Sequence, residues 1–120
     1  MERNRRVFAI ITRDVSQKVE ISSILYIAQQ LRDVDIVTSK GVVTVRGKVG
    51  ELTERMSHRL VQCHHYLAVN LERVEKMANE CLYFDDGHTL KLGQASYARL
   101  RKRFNAYLLQ LTEDPSDPVC

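Results

Sequence analysis

The sequence predicts a mainly β fold, built of antiparallel β-hairpins and sheets with a short mid-chain helix and a C-terminal helix. Three observations predict it. β-branched residues dominate short runs such as Val34–Thr38 and Val42–Arg46, the composition that packs well on a pleated surface. Those runs are punctuated by turn clusters such as Ser39-Lys40-Gly41 and Asp85-Asp86-Gly87, where glycine accepts a positive φ at little steric cost. Two stretches instead space their apolar residues three and four apart, namely Val49, Leu52, Met56 and Tyr97, Leu100, Phe104, Leu108, which lines one face of a helix.

Taken in order, Arg5–Arg13 reads as a first strand, Asp14–Gln17 as a turn and Lys18–Ile21 as a returning second strand. Ser22–Ile27 is a further apolar strand, interrupted by the polar Gln29-Gln30-Leu31-Arg32-Asp33. Val34–Thr38 and Val42–Arg46 make a second hairpin, and the short amphipathic helix of residues 47–56 covers one sheet face. In Leu60–Asn70, a strand delivers Gln62–Tyr66 into a surface loop before an apolar turn ends at Asn70 and Leu71-Glu72-Arg73 re-anchors the chain. Arg73–Met77 and Leu82–Phe84 are strand-like, and His88–Leu92 completes a third hairpin after Asp85-Asp86-Gly87. Gly93–Ser96 breaks the pattern ahead of the terminal helix, and residues 112–120 read as a frayed acidic tail. Residues 1–111 are thus expected to form a single domain.

Composition narrows the functional classes. With 120 residues and 44% hydrophobic content the chain can bury one core. It has no apolar run of about 18 residues and no signal-peptide block, so the cytoplasm is the expected compartment. Cys63, Cys81 and Cys120 form an odd set without CxxC spacing, which argues against a disulfide framework. The net charge of +3 conceals an asymmetry: all 18 Lys and Arg precede residue 104, while Glu113, Asp114 and Asp117 sit in the tail, so residues 1–111 carry +6. Such a body suits a polyanion, although ordinary soluble domains carry similar charge.

Several segments together resemble the LytTR family of bacterial DNA-binding domains. Around Leu60–Asn70 that family runs roughly F-I-R-V-H-R-S-Y-L-V-N; His64 and Val69-Asn70 match, Cys63 replaces Val and His65 replaces Arg. Ile24-Leu25-Tyr26-Ile27 resembles the family's D-I-L-Y-I-E segment with Ala28 in place of the acid, and Arg46-Gly47 precedes a helix as it does there. The pattern V-S-R-S-Y-R-K-R-L is answered by Leu92, Gly93, Gln94, Arg99 and Leu100 at its Val, Ser, first Arg, last Arg and Leu. The resemblance spans about residues 18–105 and implies a β-rich fold that grips duplex DNA through loops, without a recognition helix. It also implies a transcription regulator, with two copies commonly on paired sites and restraint by a membrane-bound inhibitor. Most relatives carry a receiver domain. Here the chain starts almost at its first strand, so none is expected ahead of it.

Three loops are expected to carry the function. In the first, Gln29, Gln30 and Arg32 are apt base readers, since glutamine pairs with adenine and arginine with guanine in the major groove; a solvated hairpin turn is the plainer reading. Asp33 weakens the reader unless it accepts from cytosine or pairs with Arg32. In the second, His65 stands where the family presents a base-contacting side chain, and His64 either holds the loop or touches DNA. In the third, Gln94 is a base contact and Ser96 a helix cap whose neighbouring amides receive a phosphate. Lys48, Arg99, Arg101 and Lys102 are expected to touch phosphates or position loops, against the plainer reading of solubilising charge.

Other chemistries fit less well. Cys63, His65, Cys81 and His88 lack the spacing of common structural zinc sites, and the Cys-His neighbours diverge along a strand instead of forming a dyad. No catalytic residue, metal, cofactor or small-molecule substrate is therefore expected. The alternative of weight is an interaction module that docks another regulator or a membrane-bound inhibitor and binds DNA weakly, which exposed Tyr107, Leu108 and Leu111 would favour.

Overall fold

A computed structural model describes residues 7–56 and 60–111. The first residues of the expected opening strand, and the acidic tail, lie outside that range. Mainly antiparallel β-structure with two helices is what the described residues form. β1 (Val7–Ile11) and β2 (Ser16–Glu20) make a separate hairpin with Phe8 opposite Val19. β3 (Ile24–Gln30), β4 (Asp33–Thr38), β5 (Gly41–Arg46), β6 (Leu60–His64) and β7 (Leu67–Asn70) form a five-stranded sheet in the order β5-β4-β3-β7-β6. β8 (Val74–Ala78), β9 (Cys81–Phe84) and β10 (Thr89–Lys91) form a three-stranded sheet. α1 (Val49–Arg55) and α2 (Gln94–Leu111) complete the chain.

The five-stranded sheet leaves its edge strand β5 largely exposed, while its middle, at β3 and β7, is buried on both faces. On one, Ile24, Ile27, Val34 and Ile36 pack under Phe8, Ile10 and Val19 of the β1–β2 hairpin and under Val49, Leu52 and Met56 around α1. On the other, Leu25, Val37, Val61, Leu67 and Val69 pack against Leu82 and Phe84 of the small sheet and Leu100 and Phe104 of α2. Each large aliphatic side chain so buried contributes about 1.5–3 kcal/mol. A bulge in β3 between Ile24 and Tyr26 sends Leu25 and Tyr26 to the same face, and Ile27 then resumes the first core.

Double-sided burial explains where the expected elements shift. The apolar turn expected before Asn70 is a strand, β7, paired with β3 on one side and β6 on the other, and all four of its residues are buried. A strand covered on both faces loses its polar alternation and reads as a continuous apolar run. The polar interruption at Gln29–Asp33 narrows to a two-residue turn, because β3 continues to Gln30 and pairs with Asp33. β8 and β9 form a further hairpin across Asn79 and Glu80, at φ 56° and 62°, a left-handed pair suited to the strands' twist. α2 starts at Gln94, three residues before Tyr97.

One end of the five-stranded sheet is anchored internally. Asn70, 2% exposed, donates from Nδ2 to the Ile24 carbonyl at 2.8 Å and accepts at Oδ1 from the Glu72 amide at 3.1 Å. Nearby, Arg73 grips both oxygens of Asp85 through Nε and donates from Nη1 to the Ser22 carbonyl at 2.9 Å. The other end is open: it carries the β3–β4 and β6–β7 turns, whose residues Gln30, Leu31, Arg32, His65 and Tyr66 are exposed.

Candidate nucleic-acid interface

At that open end, β3 passes into β4, β5 into α1 and β6 into β7. Gln29 ties the three connections together. Its backbone amide donates to the Tyr66 carbonyl at 2.9 Å, joining the β6–β7 turn to β3. Its side-chain Nε2 lies 3.0, 3.1 and 2.9 Å from the carbonyls of Leu31, Asp33 and Gly47, and its Oε1 accepts from the Val49 amide at 3.1 Å. Gln29 thereby also supplies the missing acceptor at the start of α1, where Lys48 is the capping residue but makes no side-chain cap. With both ends of its amide engaged inside the protein, Gln29, expected as a base reader, braces the turn from beneath.

The β3–β4 turn projects Gln30, Leu31 and Arg32, all exposed. Leu31 is 96% exposed with φ 59°, and the Arg32 carbonyl accepts from the Gly47 amide at 3.0 Å. Asp33 faces Arg46 across the β4–β5 ladder, with Arg46 Nε 3.8 Å from its carboxylate. The expected alternatives for this acid were Arg32 or a cytosine; its partner here is a third residue. Both side chains are largely solvated, so the pair holds weakly and Arg46 adds a cation beside Arg32 and Lys48.

In the β6–β7 turn the two imidazoles divide as their positions dictate. β6 ends at His64 and the chain turns at His65, so Cys63 points into the core while His65 is exposed. His64 is half-buried, and its Nδ1 accepts from the Tyr66 amide at 3.1 Å. That acceptor role puts the imidazole proton on Nε2 and makes His64 a support of the turn. Tyr66, 63% exposed, stands edge-on to both rings, with centroids 6.1 Å from His64 and 6.3 Å from His65.

α2 brings the third loop to the same end. A cleft between β6 and α2 is lined by Cys63 and Arg99, and another further along by Val61, Leu71, Arg103 and Leu111, so the helix runs antiparallel to β6 with its N-terminus toward the His65 turn. Arg99 fixes that crossing by donating from Nη2 to the Cys63 carbonyl at 3.2 Å. Gln94 lies five residues earlier, about 7.5 Å along the axis, and is exposed. Ser96 is not the cap. The Tyr97 amide donates to the Gly93 carbonyl at 2.9 Å, which places the cap at Gly93 and Ser96 in the first turn; its amide and those of Gln94 and Ala95 precede the first helical bond. Arg101, Lys102 and Arg103 are exposed, while Leu100 and Phe104 face the core.

Sequence reasoning passed over Leu31, Arg46 and Tyr66. An apolar residue in a polar loop was the signal for Leu31, and hairpin register, which sets Arg46 opposite Asp33, was the signal for the second. Tyr66 carried no signal beyond its type. Among the described residues no three His, Cys, Asp or Glu side chains converge as a metal site, and no helix is long and apolar enough to cross a membrane.

The family model of the LytTr DNA-binding domain matches residues 14–105. No curated protein matches the chain. A solved LytTr DNA-binding domain, from a Bacillus cereus protein described as a methyl-accepting/DNA response regulator, is similar in fold with a TM-score of 0.67 at 17% identity, over 85% of this chain and 98% of that one.

Proposed function

Since the chain belongs to the LytTr DNA-binding domain family, we propose that it binds double-stranded DNA sequence-specifically and regulates transcription. The observation that carries this reading is the gathering, at the end of the sheet opposite Asn70, of the Arg32 turn, the His65 turn and the start of α2. Gln30, Arg32, His65 and Gln94 are the base readers. Arginine offers paired donors to guanine, glutamine a donor and acceptor to adenine, and each projects from a braced turn or helix end. Lys48, Arg101, Lys102 and the first-turn amides around Ser96 take phosphates. Gln29, His64 and Arg99 position the readers by the hydrogen bonds given above. With His65 where relatives keep arginine, and Gln94 in place of another, the preferred bases differ from those of members that retain both.

Selection of bound sequences from a random duplex pool tests the proposal. A recurring site, with preference at separate positions relaxed by Arg32→Ala, His65→Ala and Gln94→Ala, supports it; a pool that never enriches defeats it.

A second reading is favoured by one observation. The C-terminal part of α2 exposes Leu108, Leu109 and Leu111 at 41, 66 and 58%, while Tyr107 is half-buried. Such a face suits docking to a second copy on paired sites or to a membrane-bound inhibitor. Substituting Leu109 and Leu111 by Lys leaves binding to a single site intact under this reading but removes cooperative occupancy of paired sites or response to the inhibitor.

A further inference from the structure

Leu31 is the most exposed large apolar side chain in the described structure, at 96%, and it stands at the apex of the β3–β4 turn in the left-handed region, φ 59°. Both features are unfavourable. Glycine or asparagine is the ordinary occupant of that backbone conformation, and leucine gains nothing from burial there. The conformation is nevertheless held from below: Gln29 Nε2 donates to the Leu31 carbonyl at 3.0 Å, and the Gly47 amide donates to the Arg32 carbonyl at 3.0 Å. A rigid tip therefore presents an isobutyl group between the polar head of Gln30 and the cation of Arg32.

We infer that Leu31 is a specificity-determining residue that packs against the C5 methyl group of a thymine in the major groove. The inference rests on the duplex-binding reading above and names what this turn reads. Thymine shows the groove an O4 acceptor beside its methyl, and neither cytosine nor a purine offers that apolar group. The tip is its complement: an aliphatic centre flanked by donors on Gln30 and Arg32. A hydrophobic pocket on a partner protein is a poorer match, because seating Leu31 there would draw the adjacent guanidinium out of water.

The test replaces thymine by uracil, which removes the methyl and leaves the hydrogen-bonding edge unchanged, one position at a time in the selected duplex. Wild-type protein is expected to lose about four-fold in affinity at one position, the size of one methyl group's removal from water. Leu31→Gly, which suits the backbone and keeps the turn, is expected to bind the thymine and uracil duplexes equally at that position. Thermal unfolding of the variant checks that the fold is kept, and Leu31→Ala should fall between the two. The inference is overturned if wild-type protein selects a site lacking a fixed thymine, if no uracil substitution weakens it, or if the methyl dependence persists in Leu31→Gly. In those outcomes duplex binding stands without the Leu31 contact. Failure to select any sequence removes the duplex-binding reading itself, and this inference with it.

Discussion

Asn70 is the single side chain on which the anchored end of the sheet most depends. It is buried, and it satisfies a carbonyl of β3 and an amide past the end of β7 at once. Asn70→Ala leaves both groups without that partner, so stability should fall by about 2 kcal/mol, read as a lower denaturant midpoint at unchanged slope. Cys63 makes the opposite case. Its thiol lies among apolar neighbours and only grazes the Leu67 carbonyl at 3.5 Å, so Cys63→Val should leave fold and duplex binding nearly unchanged at neutral pH. Burial pushes this thiol up from 9.0 to about 11. Below about pH 9 it is protonated in both folded and unfolded chains and has no effect on stability. Between pH 9 and 11 the unfolded chain releases the proton while the folded one keeps it, so rising pH favours unfolding. Wild-type stability should therefore decline through that window relative to Cys63→Val; thermal midpoints of the two proteins that run parallel from pH 8 to 11 would contradict the burial argument.

At the scale of elements, we assign base reading to the two turns and to Gln94 at the start of α2, and phosphate anchoring to Arg101 and Lys102 further along that helix. Arg32→Ala and His65→Ala should each relax preference at a different position by about 1–3 kcal/mol for a good base contact, whereas Lys102→Ala should weaken all duplexes alike. Binding of each variant to the selected site, its single-base variants and random duplex measures this; base preference altered by Lys102→Ala, with uniform weakening from His65→Ala, would reverse the assignment. The elements were legible where periodicity was undisturbed. Val42–Arg46 and the Leu100–Phe104 face of α2 each keep their pattern, and both fall where expected. Legibility failed where tertiary structure intervenes. β7 is sandwiched between two cores and shows no alternation, and the β3 bulge carries two neighbours to one face. The candidate readers could be named from residue type, but not the division between those that face solvent and those that brace. Gln29 and Gln30 are adjacent and identical in chemistry, yet only the first meets four backbone groups that consume its amide.

Considered as a whole, the molecule separates an interior that fixes geometry from a charge distribution that attracts a polyanion. Residues 1–111 carry +6, and no Lys or Arg follows residue 103. Several of those cations, Arg32, Arg46, Lys48, Arg99, Arg101 and Lys102, lie on the elements that reach the open end. Binding driven by them releases counterions from DNA, so log K should fall linearly with log salt at about −0.9 per phosphate neutralised. Arg101→Ala subtracts one such contact and should make the slope shallower by about 0.9 while leaving the order of preferred sequences unchanged, because a phosphate carries the same charge whatever base it bears. Leu31→Gly should do the reverse, changing preference with no change in slope, since an aliphatic side chain releases no ions. Titrations of one labelled duplex at several salt concentrations separate the two effects. A flat salt response in wild-type protein would leave the basic surface without a role in binding, and a slope unaltered by Arg101→Ala would place that arginine among the solubilising charges instead.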